Sequence, residues 1–166
     1  MKQSTSQTCQ KRQIIVLGLI MVINFFLFYW PGFPSSLNAL TLHLPLNRIP
    51  DVHLRFSPEE IYDFLTRIGP EGRQAFRLMH LTIDLSFPIV YSFFFFLTLK
   101  CLLTKTRKAY GWLPFLALLA GVVDLSENFI LNYLAIQYPV FYPNLTAIVE
   151  IITILKFTLI ISVIAI

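Results

Sequence analysis

Charged residues are scarce in this 166-residue chain: 13% of it is Asp, Glu, Lys or Arg, against about 25% in a soluble domain. That shortage excludes a well-hydrated surface over most of the length. Cysteine is nearly as scarce, and Cys9 with Cys101 gives no disulfide framework. Both fall on the side assigned below to the cytoplasm, where thiols stay reduced. No His/Cys group has zinc-ligand spacing and no paired Glu-x-x-His motif suggests a di-iron bundle, so no metal or other cofactor is expected. A Ser-His-Asp arrangement, a phosphate loop and a nucleotide fingerprint are missing as well. The net charge of +4 makes no nucleic-acid site, because the basic residues flank apolar runs and form no solvated face.

What the chain has instead is apolar length. It is 56% hydrophobic, with 16 Phe and a mean hydropathy of +0.68. Residues 14–30, 78–103, 112–136 and 145–166 each reach the roughly 17–25 residues that cross a hydrocarbon core. Lys11 and Arg12 precede the first stretch, as they would in a signal peptide. Its apolar run is longer than an ordinary signal core, however, and ends in Phe28-Tyr29-Trp30 where a cleavage site needs small residues, so an uncleaved span is expected. The expected fold class is therefore all-α, a polytopic transmembrane four-helix bundle forming a single membrane domain over residues 1–166.

Orientation follows from the Lys and Arg bias of short loops. Lys2, Lys11 and Arg12 lie before the first span, and Lys100, Lys105, Arg107 and Lys108 lie around the second turn, with no acid among them. In the long first loop, Arg48, Arg55, Arg67, Arg73 and Arg77 are balanced by Asp51, Glu59, Glu60, Asp63 and Glu71. Both termini are expected on the cytoplasmic side. Within that outer loop, Gly32–Pro50 is proline-rich and reads as irregular chain. A short amphipathic helix is expected at about 58–68, with Ser57 as N-cap, Pro58 at its first position, Glu60 closing a capping box and Gly69 at the stop. Ile61, Phe64, Leu65 and Ile68 make one apolar stripe on it, suited to lie on the outer surface or to cap the bundle.

Inside the spans, ionisable groups cost about 2.5 kcal/mol or more and normally face a partner in the bundle interior. Asp84, Asp124, Glu127, Glu150 and Lys156 are of this kind. At about 1.5 Å per residue, Asp84 and Glu150 sit roughly 10 Å from the outer ends, Glu127 and Asn128 slightly deeper, and Asp124 and Lys156 at about 18 Å. Two separately placed spans thus put an acid and an amine at one depth, and Lys156 is expected to pair with Asp124 or Glu127. Asp124, Glu127 and Asn128 share one helical face. Arg77, His80, Asp84, Pro88 and Tyr91 make a polar stripe on the second span, where Pro88 can open space beside Asp84. The expected ligand pocket is His80, Asp84, Asp124, Glu127, Asn128, Glu150 and Lys156, lined by spans two to four.

Plain structural readings stand beside that one. Asp124 with Lys156 is equally an ion pair that locks helix packing, and Asp84 with His80 reads first as a pair at the headgroup rim. Asn24 and Thr153 read as interhelical hydrogen bonds. Asp124-x-x-Glu127-Asn128 places more polar groups on one turn than a single packing contact needs, which favours a pocket there.

The segments Leu54–Phe94 and Leu113–Pro139, with a Ser-Pro-Glu-Glu helix, an Asp early in span two and the D-x-x-E-N element of span three, resemble a family of small, uncharacterised four-span membrane proteins. That resemblance implies the fold and no activity. The layout is also similar, more loosely, to the EXPERA-type four-span proteins, which include sterol isomerases and sterol-binding proteins. Asn24 stands where that family would have an acid, and no catalytic role is carried over.

The first functional expectation is a multi-pass membrane protein without catalysis, contacting membrane lipids and binding a lipid or small hydrophobic ligand, or serving a membrane-protein partner as a complex subunit. The alternative is an intramembrane enzyme with isomerase-like acid–base chemistry on a lipid or prenyl substrate. There, Asp84 or Glu127 would move the proton, Lys156 or Asp124 would tune it and Asn128 would orient the substrate. A proton-coupled carrier comes third, since the chain has no inverted repeat or paired broken helices.

Overall fold

A long apolar segment that spans a membrane as a single stretch can satisfy its own backbone without water only as a helix, and the described long apolar segments are helical. The computed structural model describes residues 2–36, 56–103 and 110–166, and no strand occurs among them. The helices are α1 (Lys2–Tyr29), α2 (Pro58–Arg67), α3 (Gly69–Leu81), α4 (Ile83–Leu103), α5 (Phe115–Gln137) and α6 (Pro143–Ile164). Gln10–Tyr29 within α1, the combined run Gly69–Leu103, α5 and α6 are long and apolar enough to cross a membrane. Most of the irregular stretch expected over 32–50, and the loop residues Lys105, Arg107 and Lys108, lie outside the described residues.

The third and fourth expected spans lie within about one turn of α5 and α6 at their ends, and the first, 14–30, matches the Gln10–Tyr29 part of α1, whose helix starts about three turns earlier at Lys2. The second does not. It was expected to begin near Leu78, yet helix begins at Gly69 and is interrupted at Thr82. Gly69 does end α2, adopting φ +67°, a conformation open to a residue without Cβ. Pro70 then suits the first turn of the next helix, so α3 starts at once. At Thr82 the backbone leaves the helical region (φ −120°, ψ −90°) and its N–H donates to Met79 O instead of Leu78 O. The Thr82 hydroxyl donates to the released Leu78 carbonyl at 2.7 Å, so the break leaves that acceptor satisfied.

The long helices run antiparallel to their neighbours. Tyr91 meets Asp124 and Asp84 meets Asn128, so α4 and α5 run in opposite directions. α5 packs on α6 and α1 packs on α4. α4 and α5 approach closely at Gly121, where a Cβ would lie 2.7 Å from Ser92 Cβ and 3.0 Å from Pro88 O. α1 is peripheral, and none of its Gln10–Tyr29 segment is buried.

Over one end of the bundle, α2 and α3 form a cap. The capping box of α2 is complete: Ser57 Oγ accepts from Glu60 N–H at 3.2 Å and Glu60 Oε2 accepts from Ser57 N–H at 2.6 Å. The stripe Ile61, Phe64, Leu65 and Ile68 is buried against Phe76, Met79, Leu131, Leu134 and Val149. Of the two placements the sequence allowed, α2 takes the capping one. Tyr62 ties the cap to the α5–α6 turn by donating to Val140 O and accepting from Tyr142 N–H at 2.9 Å. Burial raises the Tyr62 phenol pKa above its usual value, and the Tyr142 hydrogen bond opposes the shift.

Polarity across the long helices is inverted relative to a soluble protein. Val122, Phe129 and Ile151 are 60%, 55% and 66% exposed, whereas Asp124 and Lys156 are each 8% exposed and Glu127 is 0% exposed.

Candidate functional site

Pro88 lacks an N–H, so the carbonyl of Asp84, four residues earlier in α4, has no intrahelical donor. Asn128 supplies one. Its Nδ2 donates to Asp84 O at 2.6 Å, and α5 thereby repairs the defect in α4. The amide that the sequence offered as a substrate-orienting group is committed to backbone.

One turn deeper on α5 lies Asp124. Its Oδ2 accepts from Tyr91 OH at 3.0 Å, and its Oδ1 lies 3.5 Å from Lys156 Nζ. Lys156 is closer to Glu127, with Nζ at 2.5 Å from Oε2. The other carboxylate oxygen of Glu127 accepts from Thr153 Oγ1 at 2.6 Å, and the same hydroxyl lies 2.9 Å from Val149 O. Thr153, read from sequence as an interhelical contact, therefore orients Glu127 towards the amine. Asn24 also makes the interhelical bond expected of it, accepting from Ser86 Oγ of α4.

At the outer side of this cluster, His80 is buried beneath the ring of Phe76, and its Nδ1 is 2.9 Å from Phe76 O. A carbonyl only accepts, so Nδ1 carries a proton and Nε2 is the nitrogen that faces Asp84, at 3.6 Å from Oδ2. The break at Thr82 positions this pair across the α3–α4 junction while keeping the two residues four apart. Among the described residues, Arg77, a turn farther out, makes no ion pair with these acids.

The cluster forms one end of a cavity of about 440 Å³ between α1, α4, α5 and α6. Asp84, Asp124, Asn128 and Lys156 supply its polar wall. Phe25, Phe28, Tyr29, Phe87, Tyr91, Phe95 and Phe157 supply most of the rest, with Met21 and Ile160. Its volume falls within the about 300–1,000 Å³ of small-molecule sites, and its mixture of apolar walls and a few convergent polar groups is the usual one.

Of the residues expected in the pocket, the structure places Asp84, Asp124, Asn128 and Lys156 on the cavity wall. His80 and Glu127 stand behind it, holding Asp84 and Lys156 respectively. Glu150 is half-buried and does not line the cavity. Six residues at about 100° each turn it roughly 120° around α6 from Lys156. Sequence reasoning missed the α1 wall, because the 14–29 part of α1 is apolar on every side but for Asn24 and its spacing marks no inward face. It also missed Asn132, whose buried Oδ1 has no hydrogen-bond partner among the described residues. No group of three or more His, Cys, Asp or Glu among the described residues could hold a metal ion. Comparison with family models, curated proteins and solved structures finds no match, so the four-span resemblance rests on its motifs and function has to be argued from the geometry alone.

Proposed function

We propose that this chain is a multi-pass integral membrane protein with both termini cytoplasmic, and that its cavity binds a small amphiphilic molecule drawn from the bilayer. The inverted polarity supports the membrane setting: apolar side chains cover the outside of helices whose charged residues turn inward. Orientation is supported by Arg12, which lines a surface groove together with Phe96 and Leu97 at the same end of the bundle as Lys100, while the opposite α5–α6 turn carries no charge.

The cavity is the observation that carries the binding reading. α1 and α6 both line it, yet they are not among the closely packed helix pairs, so the wall between them is the natural entrance from the acyl chains. Native mass spectrometry of protein extracted in mild detergent should show a retained small molecule. Ile160→Trp, which fills the cavity from α6 and leaves the ion cluster intact, should lose it. Retention unchanged in that variant would remove the cavity from the explanation.

A second reading, intramembrane acid–base chemistry, is favoured by one contact, the approach of His80 Nε2 to Asp84 on the cavity wall. There Asp84 would hold or release the proton and His80 would position it. It requires that Asp84→Asn abolish turnover of a lipid-type substrate while the bound molecule is still retained. A variant that binds and turns over normally would end it.

A further inference from the structure

We propose that a groove between α1 and α4, at the Arg12 end of the bundle, seats a phospholipid with an anionic headgroup. The site is separate from the cavity; it rests on the membrane setting proposed above and not on what the cavity holds. α1 and α4 touch at Gly18, where a Cβ would lie 3.2 Å from the Phe94 ring. On the Arg12 side of that contact a groove of about 560 Å³ opens between the two helices. Val16 and Leu17 of α1 and Phe93, Phe96 and Leu97 of α4 make its walls apolar. Arg12 stands at its polar end. Arg12 and Val16 are four residues apart and so stack on one helical face, about 6 Å from each other along the axis. That is an amphiphile's own order, with charge at the membrane surface and hydrocarbon beneath it. Val16 and Phe93 are 47% and 49% exposed, so the groove is open on the side that a bilayer would cover.

The sign of the headgroup follows from the charges around the polar end. Lys100 Nζ lies 5.6 Å from the centroid of Phe96, which holds a second cation over the groove's own wall. Among the described residues, neither Arg12 nor Lys100 forms an ion pair. No Asp or Glu occurs before Asp51 or between Asp84 and Asp124, so neither helix carries an acid at this end. A planar guanidinium donates to two oxygens of a phosphate at once, and an ammonium adds a point charge beside it. An anionic phospholipid keeps a net charge with which to meet both cations. In a zwitterionic one, the headgroup's own ammonium offsets the phosphate. Both kinds offer the same acyl chains to Val16 and Phe93, so the apolar wall does not choose between them. Selectivity falls to Arg12 and Lys100.

Native mass spectrometry of the full chain in mild detergent, with equal amounts of dioleoylphosphatidylglycerol and dioleoylphosphatidylcholine, tests the site. The glycerol lipid should be retained at least about fivefold over the choline lipid. Arg12→Gln should lose most of that preference. Lys11→Gln removes the same charge from an exposed neighbour that does not line the groove, and should keep most of it. Val16→Trp, which fills the groove from α1, should lose both lipids, whereas Ile160→Trp, which fills the cavity, should keep both. Equal retention of the two lipids by the unaltered protein would overturn the anionic head. Equal loss of preference in Arg12→Gln and Lys11→Gln would overturn the site, by showing attraction to a charged surface. Full retention in Val16→Trp, or loss in Ile160→Trp, would put the lipid elsewhere and overturn the groove while leaving the cavity reading intact.

Discussion

Two ion pairs of nearly equal length lie in different regions of this molecule. On the capping helix, Arg67 Nε is 2.7 Å from Asp63 Oδ2, with side chains 55% and 52% exposed. In the bundle, Lys156 Nζ is 2.5 Å from Glu127 Oε2, with side chains 10% and 1% exposed. Geometry alone would rank them together; their surroundings separate them. Water solvates the first pair whether or not it forms, so the contact adds little. The second depends on what the protein supplies, including Thr153 on Glu127 and Asp124 as the amine's second acid. Breaking it strands a charge with no solvent to replace the partner.

The largest expected effect tests that difference directly. Lys156→Met should destabilise the bundle by about 3–5 kcal/mol, measured by denaturant titration in mixed micelles, because it leaves Glu127 buried and uncompensated. Adding Glu127→Gln to Lys156→Met should recover a large part of the loss. If Lys156→Met proved as mild as a surface substitution, the contrast between the two regions would collapse.

Asn128→Ala comes next, at about 1–3 kcal/mol, since it orphans the Asp84 carbonyl. The diagnostic step is a second substitution. Pro88→Ala restores an N–H four residues after Asp84, so Asn128→Ala should cost less in a Pro88→Ala background than alone, read from the same titrations as a double-mutant cycle. Equal cost in both backgrounds would mean that Asn128 does something other than repair α4.

The cap should respond more modestly. Ser57→Ala removes the acceptor for Glu60 N–H and should cost about 1 kcal/mol, visible as faster amide exchange at the start of α2. Arg67→Ala should be smallest, about 0.3–0.5 kcal/mol, and should vanish in high salt. A cost for Arg67→Ala that matched Lys156→Met would again erase the contrast, this time from the exposed side.

Much of the architecture was legible in the sequence because each signal was local. The apolar stripe and capping box of α2 are spacings within one turn or two. The matching depths of Asp124 and Lys156 needed only span ends and helical rise, and the two side chains do meet. The break at Thr82 was not legible, because α3 exists as a separate helix by packing Phe76 and Met79 beneath α2. Nor was Asn128's partner. Pro88 announced that a carbonyl would be freed, but which side chain reached it depended on the register of α4 against α5. Glu150, expected on the wall, lies off it for a related reason: six residues from Lys156, it is turned roughly 120° around α6.

By itself, the sequence determined that the described chain would be helical, that four stretches would be long and apolar enough to cross a membrane, and that a few acids and one amine would have to find company between them. Those outcomes follow from backbone hydrogen bonding and from the expense of stranding charge, both of which act whatever the neighbours are. Only the tertiary structure decided who that company was. It gave Glu127 to Lys156, turned Asp84 and Asp124 towards a common space, and set α1 against α4 along the edge of that space. Facing and register between helices are settled by side chains meeting across an interface, such as Gly121 against Ser92, and no single helix carries that information alone.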